Sequence, residues 1–446
     1  MKLSALAVLL QAKISGPDVD YTGLSLDSRH IKPGQLFIAV VGDKFDGHDF
    51  IALAKQQGAV AALVERPVAI DLPLLQVADT RKALGALAKH HRQQFSIPII
   101  GLTGSCGKTT TKEMIVAILN QSGSVLSNYK NFNNEIGLPL TLLNLTAQHR
   151  YAVIEMGANH LGEIAYLSQM TNPDVALITN IEPAHLQGFG SMAGIAQAKA
   201  EIFSGLGAEG VAVINADDSF SNTWQKQLAP YRVVRFGLSC QSNFSATQVK
   251  IDAQGKASFI LHTPSGEQCR IDLTLPGQHH VMNALAAAAA ASQLGVGLAD
   301  IKVGLEQTQV VPGRVNVIKS KTGATIIDDS YNANPSSVAV ALKLLAHYPG
   351  QHIFVMGDMG ELGENADRYH RQIGKLAKEL NLEEVYTCGA LSALTAKAFG
   401  VKAKHYADQE ALICALKPKL QDKVTILIKG SRSAKMDQVV AALTKG

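Results

Sequence analysis

Between an apolar run, Ile97-Pro-Ile-Ile-Gly-Leu102, and a run of helical spacing from Thr109 to Leu119, the chain turns through Gly104-Ser-Cys-Gly107-Lys108-Thr109-Thr110. The first run reads as a short buried strand. The second places Met114, Val116, Ala117, Ile118 and Leu119 at largely helical spacing. A glycine-rich turn that opens a helix aims several backbone N–H groups, and the positive end of the helix dipole, at one point. Such a turn is a phosphate trap. The loop backbone (Gly104, Ser105, Cys106, Gly107, Lys108, Thr109, Thr110) would cradle a nucleotide, with Lys108 reaching the outer phosphates and the Thr109 hydroxyl reaching Mg²⁺. The first glycine of the strict pattern is displaced, since position 102 is Leu and the nearest glycine is Gly101.

The flanking sequence divides into three blocks, and the expected fold class is α/β throughout. Residues 1–96 mix short strands and turns, which suggests a small mixed α/β domain. Residues 97–312 alternate strand-like runs (152–155, 175–180, 211–215) with helical stretches, which implies a parallel sheet with crossover helices. A less regular part, about 231–275, reads as an added β-rich section. Residues 313–446 repeat the alternation and read as a Rossmann-like domain. No GxGxxG follows its first strand, so a dinucleotide cofactor is not expected there.

Composition excludes more than it proposes. Lys and Arg nearly balance Asp and Glu, for a net charge of +4, and no basic tract stands out. With aromatics at only 5%, nucleic-acid binding has no compositional support. The five cysteines (106, 240, 269, 388, 414) are scattered, with no CxxC pair, as in a reducing cytoplasm. The opening segment, Met1 to Ala12, resembles a short signal peptide. An amphipathic helix packed on the first domain is the preferred reading, because a nucleotide site needs the cytoplasmic nucleotide pool. No run is long enough for a membrane span.

Several polar residues close apolar strands. Glu155 ends the run Tyr151-Ala-Val-Ile-Glu155, where phosphate-loop enzymes commonly place a carboxylate for Mg²⁺. Thr179-Asn180 ends the next, followed by His185. Lys199 falls on the same helical stripe as Met192, Ile195, Ala196, Ile202 and Phe203. A buried ammonium there needs a partner, a lowered pKa or a modification, whereas a snorkelling lysine would reach solvent. The loops at 328–335, 357–363 and 429–432 are polar, glycine- or asparagine-bearing and strand-terminal, which suggests one shared site.

Taken together, these segments resemble the Mur ligase family. The likeness is carried by Leu26-Asp-Ser-Arg29, Phe45-Asp-Gly-His48, Thr103-Gly-Ser-Cys-Gly-Lys-Thr-Thr110 and Asn131-Phe-Asn-Asn-Glu-Ile-Gly137. It continues through Glu155-Met-Gly-Ala, His185, Ala198-Lys-Ala-Glu201, Gly277-Gln-His-His-Val-Met-Asn-Ala284 and Pro312-Gly-Arg314. It ends with Asp328-Asp-Ser-Tyr-Asn-Ala-Asn-Pro335, Gly357-Asp-Met-Gly-Glu-Leu-Gly363 and Lys429-Gly-Ser-Arg432. The segments at 328–335 and 357–363 resemble the branch that adds D-alanyl-D-alanine. Cys106 departs from the family pattern, where Asn or Ser is usual.

The resemblance implies a cytoplasmic, monomeric, ATP-dependent amide ligase of peptidoglycan precursor synthesis. UDP-N-acetylmuramoyl-tripeptide would be activated as an acyl phosphate and attacked by D-alanyl-D-alanine. Two Mg²⁺ ions are implied, one at Thr109 and Glu155, the other at His185 and a carbamylated Lys199. Lys108, Lys199 and His185 would be catalytic. Asn283 would meet adenine, with Arg314 and Asp329 on phosphate and ribose. Ser28 and Arg29 would lie near the uridine diphosphate, Asn133 and Asn134 along the substrate, and Ser330, Asn332 and Asn334 at the dipeptide. Residues 1–96, 97–312 and 313–446 would bind the UDP substrate, ATP and the dipeptide respectively. The rivals are another ligase of the superfamily, a GTPase or ATPase switch (no Asn-Lys-x-Asp signature is present) and a small-molecule kinase.

Overall fold

The structure, a computed structural model, describes residues 2–42, 45–239 and 241–444, so Met1 and Cys240 lie outside the described residues. The chain forms two compact units. The first comprises residues up to Ile97 together with Asn128–His149, and the second Pro98–Ser127 with Arg150 onward.

In the first unit a five-stranded sheet runs in the order Lys13–Ser15, Leu74–Gln76, Ala61–Val64, Leu36–Ile38, Leu24–Ser25. Its pairs are parallel except the one made by Lys13–Ser15. Ala61–Val64 is wholly buried, as expected of a central parallel strand covered on both faces. The opening segment is a helix, Leu3–Leu10, that buries Leu3, Leu6 and Ala7 and leaves Val8 in solvent, as its amphipathic reading expects. Helix Thr80–Arg92 starts where the Asp79 carboxylate accepts the Lys82 N–H, at 2.9 Å. The 128–149 excursion adds helix Gly137–Leu142, whose Leu140, with the flanking Ile136 and Leu143, packs on the core of this unit.

The second unit holds three sheets. Six parallel strands lie in the order Arg232–Phe236, Val211–Asn215, Val175–Ile178, Ile99–Thr103, Tyr151–Glu155, Val125–Ser127. The β-rich section is a three-stranded antiparallel sheet, Ser245–Ile251, Lys256–His262, Gln268–Pro276. The third sheet has six strands in the order Asn316–Lys319, Thr325–Asp329, Val424–Lys429, Gln351–Gly357, Glu384–Cys388, Ala403–Tyr406. All but Asn316–Lys319 are parallel to their neighbours.

The alanine run explains how closely helices approach behind the phosphate loop. Helix His280–Ser292 buries Ala284 and Ala286–Ala291 completely and packs on helix Lys108–Leu119. Helix Leu298–Glu306 crosses the same partner at Gly304, where an added Cβ would lie 2.4 Å from the Ile118 Cα. Small side chains thus hold the phosphate-loop helix in a fixed seat.

Candidate functional site

The phosphate loop is positioned by the end of the neighbouring strand. The Thr179 hydroxyl donates to the Cys106 carbonyl at 2.8 Å, and the Asn180 side chain accepts the Cys106 N–H at 2.9 Å. Gly104 has φ +146°, and a Cβ there would collide with the Thr179 hydroxyl, so glycine is required by both backbone and space. Helix Lys108–Leu119 starts immediately after Gly107, at φ +78°. The Lys108 ammonium curls over the loop and donates to the Gly104 carbonyl at 2.7 Å. Burial pushes its pKa down, and the Glu155 carboxylate acts in the opposite direction.

A cavity of about 750 Å³ opens over this loop. The middle and last segments of the chain both line it. From the loop come Ser105, Cys106, Gly107, Lys108, Thr109 and Thr110. From farther along come His185, Asn283, Arg314, Asp329, Asn332 and Asn334. Three contacts tie the two sides. Asn334 caps helix Pro335–His347 and brings its side-chain nitrogen to 3.2 Å from the Cys106 sulfur. The Ser336 hydroxyl donates to Glu182 at 2.7 Å. His185 pairs with Glu361, which draws the Glu361 carboxyl below its usual range.

The far wall is held by a buried ion pair. Asp329 and Lys429 end paired strands, and the ammonium donates to the carboxylate at 2.5 Å and to the Asn332 carbonyl at 3.0 Å. Arg314 stacks on the Tyr331 ring at 4.2 Å, which fixes its planar cation beside the cavity. We expect Lys429→Met to cost about 3–5 kcal/mol in urea unfolding, because the Asp329 charge stays buried without its cation. A midpoint shift within error of zero would contradict this role for the pair.

Glu155 and Lys199 lie behind the cavity rather than on its wall. Glu155 ends its strand opposite Leu102 and is 3% exposed. Lys199 is 2% exposed, so the snorkelling alternative does not hold. Its helix ends at Ala200, and Ile202 and Phe203 continue the apolar stripe from a 3₁₀ turn, Glu201–Gly205. Nζ sits over the Phe189 ring at 5.3 Å. Burial, reinforced by the Lys108 charge and opposed by Glu163, Glu201 and Glu155, lowers the Lys199 pKa to about 7. Among the described residues no group of three or more His, Cys, Asp or Glu side chains forms a ready-made metal cluster. Mg²⁺ suits the arrangement nonetheless. It is commonly held by one or two carboxylates plus phosphates and water, and a buried carboxylate beside a phosphate loop provides that.

The remaining expected residues sit elsewhere. Ser330 is buried and donates to Asp328 at 2.5 Å rather than lining the cavity. Ser28, Arg29, Asn133 and Asn134 belong to the first unit. There Arg29 clamps Asp27 through Nε at 2.9 Å, and Asn134 accepts the Gly137 N–H at 2.9 Å, starting the short helix. Sequence reasoning assigned no role to Asn215, Phe236, His279 or His280, all of which line the cavity. Asn215 and Phe236 end parallel strands, so a survey of every strand's carboxyl end would have found them. His279 and His280 open a helix after Gly277, at φ +126°, and burial holds both imidazoles neutral, His279 at about 4.

Three family descriptions match along the chain: Mur ligase family, catalytic domain, over residues 20–92; Mur ligase middle domain over 102–291; and Mur ligase, glutamate ligase domain, over 313–432. The chain belongs to the Mur ligase family. Among curated Mur ligases it is 46% identical to the UDP-N-acetylmuramoyl-tripeptide–D-alanyl-D-alanine ligase of Escherichia coli, across 99% of this chain and 98% of that one. A crystal structure of MurF from Acinetobacter baumannii superimposes with a TM-score of 0.93 at 37% identity, covering 99% of this chain and 98% of the other. The MurF ligase of Thermotoga maritima, solved in complex with ADP, matches with a TM-score of 0.84 at 30% identity, covering 95% and 97%. Among the described residues no helix is long and apolar enough to cross a membrane.

Proposed function

We propose that this Mur ligase joins D-alanyl-D-alanine to UDP-N-acetylmuramoyl-tripeptide, using ATP, in the cytoplasmic synthesis of peptidoglycan precursors. The observation that carries the reading is the shared cavity. A phosphate loop on one side faces the loops at 329–334, 360–361 and 429–432 on the other, in a chain that matches such ligases from end to end.

A carboxylate is a poor electrophile. Transfer of the terminal ATP phosphoryl group to the tripeptide's terminal carboxylate makes an acyl phosphate and releases ADP. The free amine of the dipeptide then attacks the carbonyl carbon, the amide bond forms, and inorganic phosphate leaves with the C–O bond. Lys108 and the N–H groups of the loop hold the outer phosphates and take up the charge that shifts onto them. Asn283 faces the adenine, and Arg314 and Asp329 reach phosphate and ribose from the far wall. Asn332 and Asn334 face the incoming dipeptide. In the first unit Ser28, Arg29, Asn133 and Asn134 receive the UDP-linked substrate.

Thr109 with Glu155, and His185 with Lys199, are the residues that would hold two Mg²⁺ ions. Bound there, the ions would neutralise the crowded anions. Lys199 suits a carbamate: its neutral amine adds to CO₂, an N–C bond forms and a proton leaves. A buried cation thereby becomes a buried anion that can hold metal.

The test is ADP release. It should require both UDP-N-acetylmuramoyl-tripeptide and D-alanyl-D-alanine, with an amide product of matching mass. Release that needs neither substrate would indicate a switch, and release with one acceptor alone a kinase. A monomer is expected throughout.

The cavity walls touch through Cys106–Asn334 and Ser336–Glu182, so they must part to admit substrates. Their closure excludes the water that would hydrolyse an acyl phosphate. Solution scattering should show a smaller radius of gyration with nucleotide and UDP-linked substrate than without. An unchanged radius at saturation would count against the hinge.

A further inference from the structure

The loop 357–363 puts Gly360 and Glu361 on the cavity wall while its other side chains point inward, Met359 being 0% and Leu362 2% exposed. The loop follows the central strand Gln351–Gly357. At Glu361 its carbonyl accepts the Gln187 N–H at 3.2 Å and its carboxylate pairs with His185, and three further anchors hold the start of the loop. The Asp358 carboxylate accepts the Ser392 N–H at 2.7 Å, at the start of helix Ser392–Phe399. The Asp358 carbonyl accepts the Ser431 N–H at 2.9 Å. The third anchor is His370, on helix Ala366–Glu379, whose Nε2 accepts the Met359 N–H at 3.0 Å.

His370 is 0% exposed and touches no expected ligand, and neither the phosphate chemistry nor the metal residues use it. Its other nitrogen, Nδ1, lies 2.8 Å from the Ala366 carbonyl, which can only accept. The proton is therefore on Nδ1, and Nε2 is free to receive Met359. The helix that carries the ring is fixed in place. The Thr395 hydroxyl donates to the His370 carbonyl at 2.9 Å, and the two helices meet at Gly374, where a Cβ would lie 2.3 Å from the Thr395 carbonyl.

We propose that D-alanyl-D-alanine also lies against the Gly360–Glu361 rim of the cavity, and that His370 is its positioning residue: the neutral Nδ1–H tautomer holds the Met359 N–H and thereby that rim. This rests on the ligase reading above. Only the neutral ring does the work, since a protonated ring has no acceptor to offer Met359. Burial lowers the His370 pKa below that of a free imidazole. The charged groups bearing on the ring are Asp358 of the loop and Asp367 of its own helix, both of which favour protonation, while helix Ser392–Phe399 meets the His370 backbone carbonyl through the uncharged Thr395 hydroxyl. The device therefore operates at neutral pH and fails as pH falls through the depressed pKa.

The experiment measures KM for D-alanyl-D-alanine and for ATP, separately, in wild type, His370→Leu and His370→Gln. Leu leaves the Met359 N–H buried without an acceptor. The dipeptide KM should then rise at least about tenfold, with the ATP KM within about twofold. The Gln side chain can place its oxygen where Nε2 was, so H370Q should return the dipeptide KM to within about threefold of wild type. In acid, wild type should lose dipeptide affinity more steeply than H370Q, whose side chain cannot be protonated, because the dipeptide's own amine titrates alike in both. Equal dipeptide KM in wild type and H370L would overturn the proposal. So would a parallel rise in both KM values, or the same acid limb in H370Q. H370Q carries the acid test even where H370L does not fold. Wild-type ADP release that ignores the dipeptide would instead sink the ligase reading, and this proposal with it.

Discussion

Lys108→Ala should yield a folded protein whose ATP turnover falls by about 10²–10³-fold. The lysine's place explains the size of the effect. Its ammonium lies over the loop, hydrogen-bonded to the Gly104 and Ser105 carbonyls. These are weak holds for a cation, and outer phosphates would offer it far stronger partners. The fold should tolerate the change, because the seat of helix Lys108–Leu119 is made elsewhere, by Gly304 and the alanine helix. Removing a cation whose burial is already unfavourable costs the apo protein little. Unfolding midpoints and steady-state ADP release separate the two effects. Wild-type turnover in a correctly folded variant would remove the loop from the phosphate site.

Lys199→Ala should lose about 10–100-fold in activity or more, the range seen when a metal's supporting residues are removed. Acetate or formate should restore part of it by supplying the missing carboxylate. The pKa of about 7 sets the sign of the pH effect. Only the neutral amine reacts with CO₂. Above about pH 7 the amine is mostly neutral and the carbamate forms. Below it the ammonium dominates and the carbamate is lost, whereas an ordinary lysine would need a pH near 10.4. Carbon-13 NMR under labelled CO₂ should show a carbamate signal in wild type that K199A lacks. Full activity of K199A in CO₂-depleted buffer would rule the modification out.

The phosphate loop was legible because its chemistry is local. Glycine at strained φ, a strand before it and a helix after it are set within a dozen neighbouring residues. The same holds for the 328–335 turn, where Asn334 followed by Pro335 signals a helix start, and the structure closes it with a capping box to Ser337 only three residues on. The excursion of 128–149 into the first unit was not legible, since no periodicity says which core Ile136, Leu140 and Leu143 will join. The strand Ala403–Tyr406 and the helix Gln409–Leu416 also escaped, being short and weakly patterned.

Residue type and spacing along the chain were enough to establish an α/β chain with parallel sheets and a glycine-rich strand-to-helix turn, and to mark most of the polar loops around it. Those properties depend on backbone conformation and hydrophobic period, which act over a few residues. Lys199 could not be placed that way: its stripe allowed either burial or escape to solvent, and only packing against Phe189 and the 3₁₀ turn closed off the second. The Asp329–Lys429 pair, the Cys106–Asn334 contact and the tautomer of His370 likewise join residues far apart in sequence. Their partners are chosen by sheet register and helix docking, which no local pattern encodes.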